Sequence, residues 1–160
     1  MLPHMNAAYA FARYLARDPA AAEDIVQDAY LNALRGFDGW RGESAKAWLL
    51  TIVRNCYLAS VVVARPDLSA EDVHAVGDAP TPEDILIRRH DAALVRQEIG
   101  RLSEPFREVL VLRELEELSY KEIAAIVATP IGTVMSRLAR ARQMLGDRLK
   151  VAEQGVGGEA

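Results

Sequence analysis

The residues with the most specific chemistry lie between Ser119 and Leu145. Thr133, Ser136, Arg137 and Arg140 are spaced by 3, 1 and 3. On a helix turning about 100° per residue, that spacing gathers them into one polar, basic stripe. Val134, Leu138, Ala141 and Leu145 step by 4, 3 and 4 and form an apolar stripe roughly 120° away. Arginine on such a stripe can bond guanine O6/N7 or phosphate in a major groove, and small hydroxyls permit close approach. Gly132 leaves room for backbone N–H groups near phosphate at the helix start. A solvated basic face on a helical hairpin is the plainer reading of the stripe alone. Ser119-Tyr120-Lys121-Glu122 has the form of a capping box, opening a short helix over Tyr120 to Ala128. After a turn, Thr129-Pro130 starts a longer one, to about Lys150. Short capped helix, turn, Gly132 and polar stripe together have helix-turn-helix proportions and favour DNA.

Other site chemistry is thin. His4, His74 and His90 are far apart and lack metal-ligand spacing. The single cysteine, Cys56, lies on an apolar helical stripe and excludes a disulfide framework within the chain. No phosphate-binding glycine loop, nucleophile motif or paired-carboxylate cleft is evident. No catalysis, cofactor or metal is expected.

The elements that must position the stripe are helical throughout, because strand alternation is absent. His4 to Arg17 is Ala-rich, with Tyr9, Phe11, Tyr14 and Leu15 as contacts. Asp18-Pro19 caps and restarts a helix that ends at Gly36. Ser44 caps a third, whose apolar stripe is Trp48, Leu49, Ile52, Val53, Cys56, Ala59 and Val63. The spacing then predicts a helix from Thr81-Pro82 to Leu102 and another from Ser103-Glu104-Pro105 to about Leu118. Between them, Arg65 to Thr81 is polar, holds prolines and lacks periodicity. The expected fold is all-α: two small helical domains joined by a flexible acidic linker. The expected bounds are 1–65, linker 66–81, 82–153 with the helix-turn-helix, and a disordered tail 154–160.

The 160 residues are 51% hydrophobic and 26% charged, a globular composition. No apolar run is long enough for a membrane span, and no secretory signal is visible at the N-terminus, so a cytoplasmic location is expected. The net charge of −4 conceals an asymmetry. Residues 66–100 hold three Lys/Arg against eight Asp/Glu, whereas residues 131–150 hold five basic residues and one acid, Asp147. An acidic middle thus precedes a basic C-terminal helix.

The segment LSEPFREVLVLRELEELSYKEIAAIVATPIGTVMSRLARARQML resembles the promoter-binding region 4 of extracytoplasmic-function (ECF) sigma factors, with their "RELEGLSYEEIA" and "GTVKSRLxRAR" stretches. AAAEDIVQDAYLNALRGFDGWRGESAKAWLLTIVRN is similar to region 2 of the same family. The resemblance implies an initiation subunit of bacterial RNA polymerase, with core polymerase and promoter DNA as partners and an anti-sigma factor as a further one. It assigns Asp24, Ile25, Gln27 and Asp28 to polymerase docking. It assigns Trp40, Arg41, Gly42, Glu43, Ser44, Arg54 and Asn55 to the −10 element. It assigns Gly132, Thr133, Ser136, Arg137, Arg140 and Arg142 to the −35 element. Two readings of Trp40 stand: a base-stacking aromatic, or a staple onto the third helix. Trp48 reads as core.

Two departures bear on strength. Relatives commonly carry a basic cluster after Arg54-Asn55, where this chain reads CYLASVVVARP, and they commonly carry Lys or Arg at Met135. Fewer phosphate contacts imply weaker promoter binding. A sigma mimic that sequesters an anti-sigma factor and an autonomous helix-turn-helix repressor are the rival readings.

Overall fold

Capping chemistry sets the helix starts. The Asp18 carboxylate accepts from the Ala21 N–H at 3.1 Å, with Pro19 as first helical residue. The Ser44 hydroxyl accepts from Ala47 N–H at 3.3 Å. The box at Ser119 is reciprocal: Glu122 N–H donates to Ser119 Oγ at 3.1 Å, and Ser119 N–H donates to Glu122 Oε1 at 3.0 Å. Each contact satisfies N–H groups that a helix start leaves without partners.

The computed structural model describes residues 4–36, 44–64 and 91–157. The expected linker 66–81, the loop Trp40, Arg41, Gly42 and Glu43, and residues 158–160 lie outside them. The described residues form seven α-helices and no strand. These are α1 (Met5–Ala16), α2 (Pro19–Arg35), α3 (Ala45–Ala64), α4 (Asp91–Gly100), α5 (Glu104–Leu110), α6 (Tyr120–Ile126) and α7 (Ile131–Gly157). The first three pack together as one helical unit, and α4 to α7 form the second, with α7 against α4, α5 and α6.

Three local departures from the sequence expectation have physical causes. The helix expected to reach Leu118 changes character at Val111–Leu115, a π turn in which Glu116 N–H donates to Val111 O at 3.1 Å. Glu117 then takes φ 57°, the left-handed region, where "RELEGLSYEEIA" carries glycine. The last helix runs past Lys150 to Gly157, and Val151-Ala152-Glu153-Gln154 holds nothing that breaks a helix. On α3, Ala59 is exposed while Leu50 and Tyr57 are buried, because this helix is covered on two sides.

That second covering joins the units. α1 packs on α5, α3 packs on α6, and the buried apolar side chains form one continuous cluster. Phe11, Leu50 and Val53 of the first unit and Leu110, Leu112 and Ile123 of the second are all fully buried in it. Arg107 on α5 is buried there too, at 0% exposure. Its Nη1 donates to Leu102 O at 2.7 Å, while Nε and Nη2 have no hydrogen-bond acceptor among the described residues. Burial and the nearby Arg17 hold its pKa down, while the Glu104 and Glu108 carboxylates oppose that.

Candidate nucleic-acid interface

The helices α6 and α7 meet at 101° across the four residues Val127 to Pro130, within the range of helix-turn-helix pairs. Several contacts fix α6. The Arg113 guanidinium lies 4.6 Å from the Tyr120 ring centroid, and its Nη1 donates to Leu118 O at 2.8 Å. The Ser119 backbone N–H also holds the Glu122 carboxyl below the usual carboxylate range. Ala128 turns the chain at φ 51°, and Thr129 Oγ1 donates to Val127 O at 2.9 Å. Ile123, Ile126 and Val127 then pack with Val134, Leu138 and Ala141, the apolar stripe expected of α7.

With that stripe buried, the opposite face of α7 is open. Gly132, Ser136 and Arg140 are exposed, and Thr133 and Arg137 are half-buried. Arg137 and Arg140 make no ion pair among the described residues. Ser136 Oγ donates to Gly132 O at 3.0 Å, leaving its oxygen able to accept. A Cβ built at Gly132 meets nothing within 4 Å, so packing does not require glycine there.

Arg142 lies apart from the other residues assigned to the −35 element. It sits nine residues beyond Thr133, which at 100° per residue turns it to the opposite side of α7. Its Nη2 and Nε approach Glu114 Oε1 at 2.6 and 2.7 Å. It braces α7 against the π turn rather than joining the Ser136–Arg140 face. Gln143 does project from that face, seven residues after Ser136, and is exposed. A helical wheel could have included it.

On α2, Asp24, Gln27 and Asp28 are exposed along one face. Ile25 is 4% exposed and packs into the core, so it holds α2 in place and does not reach the surface of its three neighbours. Leu31 and Leu34, which the sequence reading did not single out, continue the same face and are 51% and 68% exposed. Their seven- and ten-residue separation from Asp24 was the available signal.

On α3, Ser44 serves as helix cap and Asn55 is exposed. Trp48 is half-buried and packs against the core. Arg54 is held by the second unit: Nε lies 2.8 Å from Glu108 Oε2, and Nη2 lies 3.3 Å from Glu108 Oε1. Cys56 accepts from Asn32 Nδ2 at 3.3 Å, and burial raises its pKa. Among the described residues no group of three or more His, Cys, Asp or Glu side chains could hold a metal ion, and no single helix is long and apolar enough to cross a membrane.

The sequence matches two known families along its length: sigma-70 region 2 over residues 2–61 and sigma-70 region 4 over residues 92–145. It is 38% identical over 145 residues to the RNA polymerase sigma-H factor of Pseudomonas aeruginosa, spanning 83% of this chain and 75% of that one. It is 37% identical over 150 residues to the ECF RNA polymerase sigma-E factor of Haemophilus influenzae, spanning 86% and 78%. Among solved structures it is similar to the sigma factor RpoE, in complex with the anti-sigma factor NepR, from Bartonella quintana. There the TM-score is 0.74 and the identity 30%, over 94% of each chain. The helix-turn-helix and the acidic face of α2 fall within the two matched regions, and the chain belongs to the ECF sigma factors of the sigma-70 family.

Proposed function

We propose that this sigma factor uses three separate surfaces to bring RNA polymerase to a promoter. The α2 face of Asp24, Gln27 and Asp28, with Leu31 and Leu34 beside them, docks on core polymerase. Acids around an apolar centre suit a basic helical partner, and the leucines add buried area once docked. The loop holding Trp40, Arg41, Gly42 and Glu43, with Ser44, Arg54 and Asn55, engages the −10 element. There an aromatic can stack on an unpaired base and polar groups can read its edges. Gly132, Thr133, Ser136, Arg137 and Arg140 read the −35 element as duplex.

Residues 1–65 and 82–153 are the two domains of this reading, and 66–81 is their linker. An anti-sigma factor is a further partner; the similar RpoE structure was solved with one bound. The chain itself performs no chemical step, and RNA synthesis belongs to the polymerase.

One observation carries the reading: the open face of α7, with Arg137 and Arg140 outside any ion pair of the described residues, on a helix set at 101° to its capped partner. Reconstituted transcription with core polymerase and genomic promoter fragments tests it. Initiation at discrete promoters that depends on this chain is the expected result; polymerase activity that ignores its presence contradicts the proposal. The captured Arg54 and the missing basic residue at Met135 favour, as a second reading, a sigma mimic that binds an anti-sigma factor and no promoter. The same assay separates the two.

A further inference from the structure

A set of polar contacts between the two units runs in one direction. Every side chain named below as donor lies on α3 or at its cap, and each faces a carboxylate of the second unit. Lys46 Nζ lies 3.0 Å from Glu116 Oε2 and donates to Glu116 O at 2.8 Å. Arg54 grips both oxygens of Glu108. Tyr57 O–H donates to Glu104 Oε2 at 3.1 Å. The Ser44 hydroxyl is near enough to the Glu122 carboxylate to help hold its pKa down. Lys46, Arg54 and Tyr57 fall within about 80° of one another around α3, with the fully buried Leu50 between them.

The carboxylates opposite are deeply placed. Glu104 is 8% exposed, Glu108 3% and Glu116 9%. Carboxylates are rarely taken this far out of water unless cations or O–H donors meet them. Here α3 supplies those partners.

We propose that the acidic row Glu104, Glu108 and Glu116 is an intramolecular substitute for the promoter strand, occupying the cationic face of α3 and holding the two units closed until polymerase and DNA displace it. The inference rests on the assignment of α3 to the −10 element. A nucleic-acid strand and the Glu108 and Glu116 carboxylates of this row present the same chemistry to Arg54 and Lys46, anionic oxygens, while Glu104 accepts from the neutral Tyr57 O–H. One cation face cannot serve both at once, so strand binding and closure compete. The free chain is therefore a poor DNA binder for two reasons, its net charge of −4 and the capture of Arg54, a cation assigned to the −10 element. Opening exposes Arg54 and Lys46 together, which makes promoter engagement a switch rather than a gradual gain.

The test uses the full chain carrying Glu108→Gln and Glu116→Gln, which keep side-chain shape and remove charge. Spin labels are placed through Arg13→Cys and Lys150→Cys in a Cys56→Ser background. Double electron–electron resonance reads the separation of the units, and circular dichroism checks that helix content is kept. Affinity for a labelled single-stranded oligodeoxynucleotide of −10 sequence is read by anisotropy. The wild-type pair should give one narrow distance distribution. The double variant should broaden and lengthen it and raise strand affinity about tenfold. Arg54→Glu should open the chain in the same way, and adding Glu108→Arg should close it again. An unchanged distance in the double variant, or no re-closure by the reversed pair, overturns the proposal. So does opening without a gain in strand affinity in a chain whose wild type still directs promoter-specific transcription. Loss of that transcription in the wild type instead defeats the assignment of α3 to DNA.

Discussion

The helices α3 and α7 are both assigned to DNA, yet the protein treats their cations in opposite ways. On α7, Arg137 and Arg140 stand outside any ion pair of the described residues, on a face opposite the buried Val134–Leu138–Ala141 stripe. On α3, Arg54 and Lys46 are tied to carboxylates of the other unit, and the helix is buried on two sides. The difference follows from what each helix must wait for. Duplex DNA already displays its phosphates and groove edges, so a reading face can stand ready. A single strand exists only after melting, and until then a cationic face lacks its partner. Covering it with internal carboxylates supplies one.

The largest expected effect lies where the two units join. Arg107→Ala empties a fully buried site and removes a cation near Glu104, while Glu108 keeps its contact with Arg54. Destabilisation of about 3 kcal/mol or more is expected by chemical denaturation. Arg107→Met should cost less, because it fills the space and brings no unpaired N–H group. Equal losses for the two variants would remove the electrostatic part of the argument.

The contrast on α7 comes next. Arg137→Ala should cost about 1–3 kcal/mol of −35 discrimination in the holoenzyme with core binding kept. Arg142→Ala, which breaks only an exposed pair with Glu114, should leave discrimination nearly unchanged. Asp24→Ala or Leu34→Ala should show the reverse of Arg137→Ala, weakening core binding. Competition binding against promoter variants reads the arginine substitutions and titration with core polymerase reads those on α2; a larger effect at Arg142 than at Arg137 would reverse the face assigned to DNA.

Two glycine exchanges separate folding from reading. Glu117→Gly relieves a side chain held at φ 57° and should stabilise the chain by up to about 1 kcal/mol, with no change in promoter choice. Gly132→Ala should add a few tenths of a kcal/mol by helix propensity, since its Cβ meets nothing. On the proposed reading, in which a phosphate approaches that open space, it should nevertheless weaken −35 binding. A Gly132→Ala chain with full promoter affinity would show that the backbone does not come close to DNA there.

The smallest effect is a pH dependence at the junction. Burial, and next the Glu108 charge, raise the Glu104 pKa above 4.5, its ordinary value. The folded form therefore binds this proton more tightly than the unfolded chain. Its contribution to stability is fully present below the ordinary carboxylate value and is lost as pH rises through the raised one. Glu104→Gln should flatten that part of the stability–pH curve. A curve unchanged by the substitution would exclude Glu104 as its source.

What was legible in the sequence was local. Asp18, Ser44 and the Ser119–Glu122 box act within three residues of themselves, so their chemistry is written in adjacent letters. The apolar stripe of α7 was legible because one face is buried and periodicity finds one face. The same method misjudged α3, where Tyr57 and Leu50 are buried and Ala59 is not, because a helix covered on two sides has no single stripe. The pairing of Arg54 with Glu108 joins residues 54 positions apart, and no local pattern encodes it. Ile25 and Arg142 were assigned by membership in a motif, although their positions around the helix already separated them from their neighbours.

On the proposed reading, promoter specificity belongs to the holoenzyme and is withheld from the free chain. The direct measurement is a titration of promoter DNA at several salt concentrations, with and without core polymerase. Weak, salt-sensitive, sequence-indifferent binding is expected for the free chain. With core present, tight binding that depends on both promoter elements is expected, because polymerase holds the two units at the promoter spacing and makes the second contact effectively intramolecular. Tight, sequence-specific binding by the free chain would contradict the account and favour an autonomous repressor. Absence of promoter binding with core present would contradict it in favour of a mimic.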